Sequence, residues 1–165
     1  MTINGRSYRK GDEIAWYAVY PFFLLHMLMF GGSGFFMAYA DKHHDEILFL
    51  YMHGGFAIIV YTIFYLAMFG RDEVKWMFIN AALGLLGIYT QIGWILSLFD
   101  KDIGDYPTQV HVIPFLYFVL YTFLLRQAVL DITRSRNDET RRRRAENAYA
   151  VVLTAGYLIS YGFGK

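Results

Sequence analysis

ILFLYMHGGFAIIVYTIFYLAMFG, residues 47–70, runs from Ile47 to Gly70 without one Asp, Glu, Lys or Arg. A helix rising about 1.5 Å per residue needs about 20 apolar residues to cross about 30 Å of hydrocarbon, and this stretch is long enough. A water-facing amphipathic helix would carry a polar stripe; none is present. Three more stretches read the same way: Ile14 to Ala40, Trp76 to Phe99, and Tyr106 to Leu125, the last extending as a helix to Leu130. The fold class that follows is an all-α polytopic membrane bundle with four transmembrane helices, spanning about 14–40, 47–70, 76–99 and 106–130. A β-barrel would show segments of about ten residues alternating apolar and polar, and no such alternation occurs.

Composition agrees. Of the 165 residues, 56% are hydrophobic, 19% aromatic and 18% charged, and the chain has no cysteine. That excludes a disordered chain, a disulfide-stapled domain and a thiolate metal site. A net charge of +1 gives no basic face for phosphate backbones, so nucleic acid is not an expected partner. The first span follows Arg6, Arg9 and Lys10 and is far longer than the roughly 7–15 apolar residues of a secretory signal, so it reads as an uncleaved anchor.

Charges in the connections set an orientation. Arg6, Arg9, Lys10, Arg71, Lys75, Arg126, Arg134, Arg136 and Arg141 to Arg144 fall on one side, whereas the other two connections hold only Lys42 and Lys101. Lys and Arg gather in cytoplasmic loops, which predicts a cytoplasmic N-terminus in a bacterial-type inner membrane. After the fourth span, Asn137 is a candidate N-cap with Asp138 and Glu139 in the first turn, suited to the positive end of a helix dipole. Ala148 to Gly164 is then uncharged and predicts a fifth helix, short or tilted, over residues 148–164. Arg141, Arg142, Arg143 and Arg144 are expected at anionic lipid headgroups.

Ionisable groups inside a membrane are costly and mark functional candidates. His26 lies near the centre of the first span. His53 and His111 lie at similar depth near the outer ends of the second and fourth. Imidazole nitrogens on two helices at matched depth suit a b-type haem or a metal ion, with Asp105 or Glu46 orienting the rings. A second candidate is the outer acidic set, Asp41, His43, His44, Asp45 and Glu46 facing Asp100, Asp102 and Asp105, whose carboxylate and imidazole groups suit a divalent zinc, iron or manganese ion. Tyr and Phe within the spans, such as Tyr61, Phe64 and Tyr65, could stack on a flat ligand such as a quinone.

Two glycine-rich segments carry structural expectations. Gly31-Gly32-Ser33-Gly34 invites a break in the first helix, and Pro21 a kink. In the third span Asn80, Gly84, Gly87, Gln91 and Trp94 recur at intervals of three and four, one face of small and amide side chains that reads as a helix-packing surface. No G-x-S-x-G, H-E-x-x-H or P-loop pattern occurs. The expected function is therefore that of a non-catalytic accessory protein or subunit, in a homo-oligomer or with other membrane subunits. The alternatives are a haem- or quinone-binding redox protein and an ion-binding or transport protein.

Overall fold

The computed structural model describes residues 2, 3, 6, 7, 16–40 and 47–163. A two-residue antiparallel ladder pairs β1 (Thr2–Ile3) with β2 (Arg6–Ser7), Thr2 opposite Ser7. The rest is helical: α1 (Trp16–Tyr39), α2 (Ile47–Phe69), α3 (Arg71–Leu83), α4 (Leu85–Ser97), α5 (Val112–Ile132) and α6 (Glu139–Phe163), with 3₁₀ turns at Ile103–Asp105 and Thr108–His111.

Helix α5 is the hub. Half of its most apolar window is buried, against 22% for α1 and 28% for α2, because α1, α2, α3, α4 and α6 all pack on it. The buried positions of α1 include Tyr20, Met27, Gly34 and Ala38, spaced by one or two turns, as one face of a 3.6-residue helix requires. Glycines set the closeness of this packing. A Cβ on Gly34 would lie 3.1 Å from the Tyr117 ring, and one on Gly54 of α2 would lie 2.5 Å from Cγ2 of Ile113. The Gly31–Gly34 segment therefore does not break α1. It is the groove that receives Tyr117, and α1 continues through it and through Pro21.

The break falls in the third span instead, which is two helices, α3 and α4, bent by 72° at Gly84. Contacts along α5 show that this bent pair still crosses the bundle. Tyr51 donates to the Gln109 carbonyl at 2.8 Å and Tyr65 to the Leu120 carbonyl at 3.0 Å, so α2 and α5 run in the same direction. The chain must return between them. At the start of the pair Glu73 meets Arg126 and Gln127, near the C-terminal end of α5. At its far end Phe99 stacks edge-on against Phe36, and Lys101 donates to the Tyr39 and Ala40 carbonyls that end α1. Three single helices are thus long and apolar enough to cross a membrane, four crossings in all where the broken pair counts as one span. Large side chains such as Leu48, Phe56 and Leu86 are exposed around them, as a lipid-facing surface requires.

Helix α6 begins one residue later than the expected cap. The Asp138 side chain accepts from the amides of Thr140 and Arg141 at 3.0 and 3.1 Å, so Asp138, not Asn137, satisfies the first-turn donors. The helix includes the four arginines and starts antiparallel to α5: Glu146 pairs with Arg126, and Tyr149 donates to the Thr122 carbonyl at 3.3 Å. Its described side chains beyond Tyr149, from Ala150 to Leu158, are exposed.

Candidate functional site

The histidines occupy separate surroundings. His111 is buried; its Nδ1 meets the Tyr39 hydroxyl at 2.9 Å, and the Tyr89 ring stands edge-on to it. His53 stacks between Phe30 and Phe49, with centroids 6.1 and 5.9 Å away. The Tyr51–Gln109 bond and the Gly54–Ile113 contact put the start of α2 beside that of α5, so the two histidines share one end of the bundle. Among the described residues their ring contacts differ: His53 looks to α1 through Phe30, and His111 to α1 through Tyr39. His26 lies on the outer surface, with Nδ1 bonded to the Tyr61 hydroxyl and the ring stacked on Phe22.

Asp41, His43, His44, Asp45 and Glu46 lie outside the described residues. Asp105 closes a 3₁₀ turn capped by Asp102, whose side chain accepts from the Gly104 amide at 2.6 Å. Among the described residues no group of three or more His, Asp or Glu could hold a metal ion.

What the fold does build is a cleft of about 830 Å³ between the bent α3–α4 pair, α5 and α6. Ligand sites typically occupy about 300–1,000 Å³. One wall is the face of small and amide residues: Asn80, Gly84, Gly87 and Gln91 all line it, and Trp94 does not. That face is not used for helix packing. A Cβ on Gly87 would meet nothing within 4 Å, and one on Gly84 would meet only carbonyls of its own helix. The bend at Gly84 carries the small residues away from any neighbour and leaves volume in front of them. Phe118, Val119 and Thr122 of α5 form the opposite wall.

The cleft ends in a ring of charge. Glu73 of α3 accepts from Arg126 at 3.2 Å, from Gln127 at 3.1 Å and from Arg142 at 3.1 Å. Glu146 accepts from Arg126 and, at 3.2 Å, from Arg142. Arg143 and Glu139 pair at 3.2 Å on the outer rim. The network joins three helices, and its members converge only because α3 and α6 both start at the end where α5 finishes. Partial burial alone would lower the pKa of Arg142, but Glu146 and Glu73 hold it above its ordinary value. Every member except Gln127 is charged, and each positive group already has a carboxylate.

The sequence places Arg126 only among the charges of the basic side and expects the four arginines together at anionic lipid headgroups. In the structure Arg141 pairs with Asp138, Arg142 with Glu73 and Glu146, and Arg143 with Glu139. The i,i+4 spacings of Glu139 to Arg143 and Arg142 to Glu146 are visible in the sequence. The link to Glu73, 69 positions away, is not. No known protein-family model, curated protein or solved structure matches the chain.

Proposed function

We propose that the protein is a non-catalytic membrane component that holds one amphipathic molecule in the cleft, serving as an accessory protein or subunit beside other copies or other membrane chains. The reading takes the basic end as cytoplasmic, following the bias of Lys and Arg, in a bacterial-type inner membrane. The observation that carries it is the cleft's division into two parts: an apolar and small-residue interior between α4 and α5, and a charged rim at one end. An amphiphile matches that division, because its tail replaces lipid contact along Phe118 and Val119 while its head stays among hydrogen-bonding groups. The charged groups of the rim are committed to one another, which suits holding more than turnover.

The test is retention of lipid. Full-length protein purified in mild detergent should carry a bound amphiphile visible by native mass spectrometry. Gly87→Phe, whose Cβ would meet nothing within 4 Å and whose ring points the added volume at the cleft, should remove it and leave the helical content and elution volume unchanged. Equal retention in the filled variant would exclude the cleft as the site.

A further inference from the structure

We infer that the cleft takes a phospholipid from the leaflet at the basic end, and that the favoured head carries both charge signs, a phosphate together with an ammonium group. This rests on the reading of the cleft as an amphiphile site and adds the class of ligand.

Depth points to a leaflet lipid. From Phe118 to Arg126 the cleft follows α5 over about two turns, or about 12 Å at 1.5 Å per residue. Half of a hydrocarbon core of about 30 Å is about 15 Å. The cleft thus reaches from the headgroup level to roughly the bilayer midplane, the extent of one leaflet. It also has a lateral entrance. Helix α6 is tied to α3 at the rim through Arg142 and Glu73, whereas its described residues from Ala150 to Leu158 are exposed. A chain can pass from the bilayer beneath that part of α6 into the space before Gly87 without crossing the charged rim.

The head is specified by the balance of the rim: Arg126, Arg142 and Arg143 against Glu73, Glu139 and Glu146. A head bearing only negative charge must draw an arginine from its carboxylate and leave that carboxylate without its partner. A zwitterionic head repairs both halves of the pair it opens. The pair most easily opened is Arg143 with Glu139, which bridge at 3.2 Å with side chains 76% exposed on both sides. The inner pairs of Glu73 are only about a quarter to a third exposed. Arg143 then meets the phosphate and Glu139 the ammonium.

The experiment offers the full-length protein an equimolar mixture of phosphatidylethanolamine and phosphatidylglycerol with identical chains in nanodiscs, then reads bound lipid by native mass spectrometry after release into mild detergent. The expected result is a several-fold excess of phosphatidylethanolamine, which Glu139→Gln reverses by removing the ammonium partner and freeing Arg143. Glu139 is exposed on the first turn of α6, so this variant keeps its fold. Equal binding of both lipids, lost together in Gly87→Phe or in Phe118→Trp from the opposite wall, overturns the headgroup assignment and keeps the cleft. Binding of either lipid unchanged in both filled variants overturns the cleft itself. Displacement of the lipid by millimolar inorganic phosphate, with no loss in the filled variants, would identify a soluble-anion site at the rim and overturn the inference.

Discussion

Gly54 shows how a single missing side chain fixes a helix spacing. Ile113 is 2% exposed, and its Cγ2 lies 2.5 Å from where a Cβ on residue 54 would stand, closer than two carbons approach without displacement. Gly54→Ala should therefore push α2 from α5 and cost about 1–3 kcal/mol, the usual range for inserting a methyl group into a filled core. Ile113→Ala in the same chain should recover part of that loss, because the two substitutions share one volume. Gly55→Ala is the control, since nothing lies within 4 Å of that position. Thermal unfolding in detergent measures all three; equal midpoints for the 54 and 55 variants would show that this contact does not set the spacing. The sequence shows Gly54 and Gly55 as equivalent neighbours. Only the rotation of α2 about its axis distinguishes them, and that rotation is set by tertiary packing, which no local pattern encodes.

Helix ends obey a more local chemistry. Helix α5 closes with Arg134 at φ 52°, the Ser135 amide donating to the Leu130 carbonyl at 2.9 Å, the reach-back bond of a Schellman end. Glycine usually fills the left-handed position because a side chain there costs about 1–2 kcal/mol. Arg134→Gly should relieve that strain and, after glycine's greater freedom in the unfolded chain is subtracted, raise stability by up to about 1 kcal/mol. The opposite change at the one-residue link between α2 and α3, Gly70→Ala, should lower it, because Gly70 sits at φ 86°. A lowered unfolding midpoint for Arg134→Gly would mean that the arginine makes a compensating contact. The same scale explains where the element reading went astray. Gly31 to Gly34 and Gly84 to Gly87 look alike as helix weakeners, each glycine costing about 1 kcal/mol relative to alanine. The first group is covered by Tyr117 and stays helical, whereas Gly84 and Gly87 have no covering side chain, and there the helix bends and the cleft opens.

At the scale of the molecule, the uncharged stretches dictate the crossings because hydrocarbon accepts no unpaired backbone or charge, and such a rule can be read residue by residue. The charged ring could not be, since Glu73, Arg126 and Glu146 meet only after three helices have turned their ends to one place. Orientation and the path of α6 follow from the same assembly and can be tested with one reagent. The chain has no cysteine, so each introduced thiol reports alone. With a membrane-impermeant maleimide on intact cells, Thr108→Cys, exposed at the end opposite the arginines, should label at once. Arg144→Cys at the basic end should label only after the membrane is opened. Leu158→Cys should resist the reagent from both sides, because α6 starts antiparallel to α5 and an exposed side chain carried on along that course would face lipid. Labelling of residue 144 before residue 108 would invert the orientation. Ready labelling of residue 158 once the membrane is opened would put α6 in water and take away the wall that closes the cleft on its α6 side, leaving nothing to hold an amphiphile between α4 and α5.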